Sequence, residues 1–365
     1  MSDSAAHPPF TPIAATRHVV LTGNPNCGKT TLFNALTGMR AKVGNYAGVT
    51  VERKEGRLKG SPTGQPINIL DLPGTYSLSP KSLDEQISRD VLFHRLKEVP
   101  APGLVVVVVD ASNLERNLYY ATQVIELGYP TLVALNMTDV AGQNGHTVDA
   151  EALSRELGVP VLPLVASEGT GIAELRDRIV DFFAHRSCPS VTSLFVRLPD
   201  RAEQEIQPIV DLLAQEFRQR KTSAHAEALL LLTDEKVMAS NDEHYPNIIR
   251  DAVAAARRRV EAADIDWRSV AIELRYGRIA EICGRVVSAA TLPGETFSDR
   301  LDRIVTHKVW GTLIFAAIML LIFQTIFSFA SVPMDLLEGA FDWLGEFVGG
   351  MMAEGDLRSL LVDGV

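Results

Sequence analysis

Eight consecutive residues, Gly23-Asn24-Pro25-Asn26-Cys27-Gly28-Lys29-Thr30, restrict the fold more than any other stretch of the chain. They fit G-x-x-x-x-G-K-[ST], in which glycines let main-chain N–H groups wrap a polyphosphate while the next helix offers the positive end of its dipole. Such a loop needs a strand running in and a helix running out. The apolar run His18-Val19-Val20-Leu21-Thr22 precedes it, and the helical stretch Thr31-Leu32-Phe33-Asn34-Ala35-Leu36 follows. In this setting Lys29 reaches the β- and γ-phosphates and Thr30 turns its hydroxyl to a magnesium ion. Gly23, Asn24, Pro25, Asn26, Cys27, Gly28 and Thr31 complete the expected cradle.

From Arg17 to about Ala184 short β-branched runs alternate with helical stretches. The clearest strands are Val19 to Gly23, Ile67 to Leu72, Leu104 to Asp110, Pro130 to Asn136 and Val159 to Val165. The run Val105-Val106-Val107-Val108-Val109 lacks polar alternation, as befits a central strand covered on both faces. The pattern predicts an α/β fold with a doubly wound, mostly parallel sheet and ligand loops at the carboxyl ends of its strands.

Those strand ends carry the remaining chemistry. Asp71-Leu72-Pro73-Gly74 is common turn chemistry when it stands alone. After a phosphate loop it lets Asp71 hold magnesium through water and the Gly74 N–H meet the γ-phosphate. Asn136-Met137-Thr138-Asp139 reads either as a helix cap or as the selector of the base. In the second reading Asp139 accepts from the guanine N1–H and exocyclic amine, whereas adenine would leave the carboxylate unpaired. Ala166 and Ser167, in a Gly-rich turn after the last strand, offer N–H groups to the guanine carbonyl. The glycine-rich stretch Lys42 to Glu52 reads as a switch loop, with Gly48 in it and Thr50 as a magnesium-contacting hydroxyl, or as plain surface loop. No glutamine follows Gly74; Thr75 and Tyr76 stand there instead. Hydrolysis is therefore expected to be slow or assisted by an ion or the backbone, with Asn26, Lys29, Thr50, Gly74 and Thr75 as the catalytic candidates. Cys27, at a helix N-terminus, is either a depressed-pKa thiol or a neutral spacer.

Taken together, GNPNCGKT, GNYAGVTVE, DLPGTYSL and NMTD resemble the GTP-binding domain of the bacterial ferrous iron transport protein B family. The resemblance spans roughly residues 17–333 and is strongest over the first 140. It implies a P-loop GTPase domain in the cytoplasm, then a small helical domain, then a polytopic region in the bacterial inner membrane that passes Fe2+. GTP and GDP with Mg2+ are the implied ligands, and a homo-oligomer and a small accessory protein the implied partners. It also implies that Asn26 holds a K+ that stimulates hydrolysis, although Cys27 stands where many relatives have serine.

Composition adds boundaries. With 46% hydrophobic and 22% charged residues the chain is foldable, and its net charge of −10 argues against a nucleic-acid partner. Three scattered cysteines indicate neither a disulfide framework nor a Cys-x-x-Cys metal site. Residues 1–16, with Pro8, Pro9 and Pro12, read as a tail; residues 17–184 as the GTPase domain; 185–199 as a linker. Residues 200–290 read as an all-α domain without strand signals. Ile206, Ile209, Leu213 and Phe217 form one of its stripes, and Ile248, Ala252, Val253, Ala256 and Val260 another, with Arg257-Arg258-Arg259 as a solvated face. A linker and basic segment, residues 291–308, leads to an uncharged span at 309–332 that reads as a transmembrane helix. Acidic residues prevail beyond it, which puts the GTPase in the cytoplasm, and residues 333–365 read as an amphipathic helix and tail against the bilayer or against spans missing from this chain. The competing expectation is a membrane-tethered signalling G protein without a transport role.

Overall fold

The computed structural model describes residues 17–38, 41–46, 51–62, 64–96, 98–185, 195–217, 222–234, 245–289, 297–329 and 331–351. It divides near residue 292 into two compact units.

The first unit is built on a seven-stranded sheet of order β2-β3-β4-β1-β5-β6-β8. The strands are β1 (His18–Gly23), β2 (Ala41–Asn45), β3 (Glu52–Arg57), β4 (Asn68–Asp71), β5 (Leu104–Asp110), β6 (Thr131–Asn136) and β8 (Val161–Pro163); β7 (His146–Val148) lies outside this sheet. Strands β4, β1, β5, β6 and β8 run parallel, as the sequence predicts. Register then brings the chemistry to one edge, with Leu21 beside Asp71, Gly23 beside Val108 and Asp110 beside Asn136.

The five valines of β5 divide between two cores. Val105, Val107 and Val109 face one and Val106 and Val108 the other, which is why no polar residue alternates along this strand. On one side α1 (Lys29–Thr37) and α6 (Ile172–His185) contribute Leu32, Phe33, Leu36, Leu175 and Ile179. On the other lie α2 (Leu83–Leu92), α3 (Leu114–Glu126) and α5 (Ala150–Leu157), and this core continues without a break into α7 (Asp200–Glu216), α8 (Ala224–Thr233), α9 (Asn247–Ala262) and α10 (Val270–Val286). A buried ion pair, Arg275 Nη2 to Glu126 Oε2 at 2.5 Å, joins α10 to α3 inside this core.

Four local expectations need correction. Lys42 to Asn45 is strand, because β2 and β3 form an antiparallel pair that adds a mixed edge to the sheet. The helical region does contain a strand: β9 (Val287–Ala289) pairs antiparallel with β7, a connection too short to carry a periodic signal. On α9 the buried stripe is Ile249, Val253, Ala256 and Val260, while Ile248 is 61% exposed; the stripe starts one residue later than expected. Arg257 is not a solvated arginine. Its guanidinium donates to the carbonyls of Leu231 (2.8 Å) and Leu232 (3.0 Å) near the end of α8, where a cation complements the helix dipole, and lies over Trp267.

The second unit holds α11 (Phe297–Val305), α12 (Trp310–Phe329) and α13 (Ser331–Met351). Within the span expected at 309–332, α12 ends at Phe329 and α13 begins at Ser331. Among the described residues no helix is long and apolar enough to cross a membrane. The expected transmembrane helix is thus not found among the described residues; on α13 the side chains of Leu336, Leu337, Phe341, Trp343 and Phe347 are exposed.

Candidate nucleotide site

Strand β1 delivers the chain to Gly23, where a Cβ would stand 2.4 Å from the Val108 carbonyl oxygen; the neighbouring strand leaves no room for a side chain. Asn26 takes a left-handed conformation with φ 62°, its side chain exposed, and Gly28 follows with φ 84° as the N-cap of α1. No side chain caps that helix. The N–H groups of its first turn therefore face the site together with the hydroxyl-bearing, exposed Thr30 and Thr31. Asn24 is buried and donates through Nδ2 to the Arg116 carbonyl at 3.3 Å. Cys27 is 1% exposed, and burial pushes its thiol up to about 11, Lys29 opposing only in part; it is the neutral spacer of the two readings.

Lys29 and Asp71 meet across the loop, Nζ to Oδ1 at 3.6 Å. Asp71 is buried at the end of β4, and burial raises its carboxyl above the usual range against the pull of Lys29 and Lys54. Its Oδ1 accepts no hydrogen bond, so an acceptor faces the phosphate end with only a long ion pair to balance it. Gly74 lies against the phosphate loop itself. A Cβ on it would come within 2.9 Å of the Pro25 main chain. Thr75 donates its N–H to the Gly23 carbonyl at 3.2 Å, but its hydroxyl donates to the Ser77 carbonyl at 2.8 Å and the residue is 1% exposed. The side chain of this catalytic candidate is thus hydrogen-bonded within its own loop.

At the other end of the site Asn136 closes β6 and ties two loops together. Its Nδ2 donates to the Cys27 carbonyl and its Oδ1 accepts from the Ala166 N–H, both at 2.9 Å. The same amide explains Gly28, whose Cβ would stand 2.2 Å from Asn136 Nδ2. The Ala166 N–H is thereby engaged, and Ser167 beside it is exposed. Met137 turns the chain with φ 59° into α4 (Thr138–Gln143). Asp139, in the first turn of that helix, has a buried Oδ1 that accepts no hydrogen bond. An unpaired buried carboxylate oxygen is costly unless a ligand donor meets it.

Gly48 and Thr50 lie outside the described residues. Two residues went unnoticed in the sequence. Asp110, at the end of β5, accepts from Ser112 N–H (2.8 Å), Ser112 Oγ (2.7 Å) and Asn113 Nδ2 (2.9 Å), fixing the turn into α3. An Asp-x-Ser-Asn run after a strand is an Asx-turn signal that could have disclosed it. Arg116 has no such signal, because its partner Tyr76 lies forty residues earlier in the chain.

Residues 17–179 match the family described as ferrous iron transport protein B. A Fe(2+) transport protein A/Fe(2+) transporter FeoB fusion protein of Porphyromonas gingivalis is 36% identical over 95% of this chain and 41% of its own length. The Fe(2+) transporter FeoB of Salmonella typhimurium is 39% identical over 83% of this chain and 37% of its own. The chain spans less than half the length of these curated relatives. Among solved structures, a GDP-bound variant of S. thermophilus NFeoB superposes with a TM-score of 0.62 at 38% identity, covering 74% of this chain and 99% of that one. The cytosolic domain of L. pneumophila FeoB gives a TM-score of 0.62 at 33% identity with the same coverage.

Proposed function

The chain belongs to the ferrous iron transport protein B family, and from that premise we propose that it binds GTP, hydrolyses it, and serves as the nucleotide-driven part of a ferrous iron transporter. The observation that carries the reading is the buried, unpaired Asp139 Oδ1 on the helix that follows Asn136, the residue stapled to the phosphate loop. A guanine base offers the two donors such a carboxylate accepts, and the staple sets base and phosphates at a fixed separation. Asn136 acts mainly through the two loops it joins, and Ser167 N–H is the donor toward the base carbonyl.

At the phosphate end, the main-chain amides from Gly23 to Thr30 and the ammonium of Lys29 bind and neutralise the β- and γ-phosphates. The residues also fit Mg2+: the Thr30 hydroxyl and the unpaired Asp71 Oδ1 would hold it, Thr50 joining them from the switch segment, and the ion would supply charge stabilisation on the transferring phosphoryl group. The Gly74 N–H and main chain order the attacking water, since the Thr75 hydroxyl after it is engaged by the Ser77 carbonyl. Turnover is slow for the same reason. The exposed side chain of Asn26, held in a left-handed turn at the mouth of the loop, is the ligand for a stimulating K+.

Iron enters through the relatives, which are named Fe(2+) transporters. The longer protein sits in the bacterial inner membrane with the first unit in the cytoplasm, and the apolar helices of the second unit meet its membrane region. Oligomers of the chain and a small accessory protein complete the proposal.

Purified chain is expected to release phosphate from GTP and not from ATP, and Lys29→Ala to abolish release. Carried into the longer protein, Lys29→Ala is expected to abolish ferrous iron uptake as well. Undiminished uptake by that variant would sever the nucleotide cycle from transport.

A further inference from the structure

The first turn of α3 joins both loops at the phosphate end. Through its carbonyl, Arg116 accepts the Asn24 side-chain amide of the phosphate loop at 3.3 Å. Through its guanidinium it covers the ring of Tyr76, 4.3 Å from the centroid, two residues after Gly74. One turn further on, Tyr119 stacks on Tyr276 of α10 at 4.8 Å and 21°, so this face of α3 is braced from the other side.

The segment it grips has little freedom to be misplaced harmlessly. A Cβ on Gly74 would stand 2.9 Å from the Pro25 main chain, and the Thr75 N–H bonds the Gly23 carbonyl. The Thr75 hydroxyl is engaged by Ser77 and its N–H by Gly23, so the main chain at Gly74 is what this segment presents to a reacting water. Tyr76 and Arg116 are both exposed, and Tyr76 would swing free without a partner.

We infer that Arg116 is a positioning residue for GTP hydrolysis: by clamping Tyr76 to α3 it fixes the Gly74–Thr75 main chain against the phosphate loop. The inference rests on the GTPase reading above. A guanidinium suits the task because its plane stacks on an aromatic face, which an ammonium does less well. The contact is too exposed to matter much to folding. Its effect is on geometry, and a misplacement of about 1 Å can slow a reaction on the order of a hundredfold.

The test is single-turnover and steady-state GTP hydrolysis by the 365-residue chain, with GTP and GDP affinities measured in parallel. Arg116→Ala and Tyr76→Leu should each lower kcat about tenfold, with affinities changed less than about twofold. Tyr76→Phe, which keeps the ring face, should restore kcat, and Arg116→Lys should fall between. The double variant Arg116→Ala/Tyr76→Leu should be no slower than the worse single one, since both remove one contact. Unchanged kcat in Arg116→Ala, multiplying losses in the double variant, or a Tyr76→Phe as slow as Tyr76→Leu would each overturn the clamp. Nucleotide affinities that collapse in Arg116→Ala would make it a structural residue and overturn it too. If the unmodified chain bound no GTP, the GTPase reading itself would fall and take the inference with it.

Discussion

The two ends of the site are built differently. At the base end, one buried asparagine makes two side-chain hydrogen bonds of 2.9 Å to the phosphate loop and to the Ala166 turn, and every element there is described. At the hydrolysis end, the segment after Asp71 is held piecewise, by main-chain bonds from Leu72 to Leu21 (3.0 Å) and from Thr75 to Gly23 (3.2 Å), by Ser88 Oγ on the Pro73 carbonyl (2.9 Å), by Gln123 on the Leu78 N–H (2.9 Å) and by an exposed cation–π pair. Recognition thus rests on one buried staple, whereas the hydrolysis end is assembled from several separate contacts, one of them exposed. That division suits a switch, in which the part that selects the ligand stays rigid while the part that reports its γ-phosphate moves.

The comparison can be broken most forcefully at Asp139. Asp139→Asn exchanges the carboxylate for a group matched to xanthine, and GDP binding should weaken by roughly 3 to 6 kcal/mol, two charge-assisted hydrogen bonds, while xanthosine diphosphate gains. Calorimetry with both nucleotides measures it; an unchanged preference would remove Asp139 from the base. Next is Gly28→Ala, which forces a Cβ into Asn136 Nδ2 at a left-handed φ of 84°. Loss of the staple and backbone strain together should cost about 2 to 4 kcal/mol of GDP affinity, and retention of full affinity would mean the two loops are not coupled.

On the hydrolysis side Thr75→Val should lose only the bond to Ser77, about 1 kcal/mol of stability, with kcat changed less than about threefold; a larger fall in kcat would return the Thr75 hydroxyl to the chemistry. Asn26→Ala should leave GDP affinity intact and erase the difference between rates in K+ and Na+. Least consequential for function is Cys27. With its thiol pushed up to about 11, the thiolate stays scarce until pH rises far above neutral, so alkylation at pH 8 should be at least about a hundredfold slower than for a free thiol of ordinary pKa. Mass mapping of the Cys27 peptide reads this directly.

Much of this was legible in the sequence, for identifiable reasons. The loop from Gly23 to Thr30 and the valine run of β5 announce themselves because each is a contiguous string with one dominant physical cause: phosphate wrapping in the first, burial on both faces in the second. The antiparallel edge was not legible. Lys42, Gly44 and Asn45 lack β-branching and apolar alternation, and β2 exists because β3 lies beside it. Nor could the sequence say that Thr75 bonds Ser77, or that Asn136 would have both ends of its amide taken by protein. Residue type gave their neighbourhood, and the fold gave their partners. Arg257 carries the same lesson in the helical region, where a run of three arginines conceals one that reaches the carbonyl end of another helix.

The account depends on a guanine nucleotide meeting Asp139 while its phosphates lie in the loop from Gly23 to Thr30. Isothermal titration of the unmodified chain with GDP and with ADP tests this most directly. GDP should bind and ADP should be weaker by a factor on the order of a hundred or more; equal affinity for the two, or none for GDP, would contradict it.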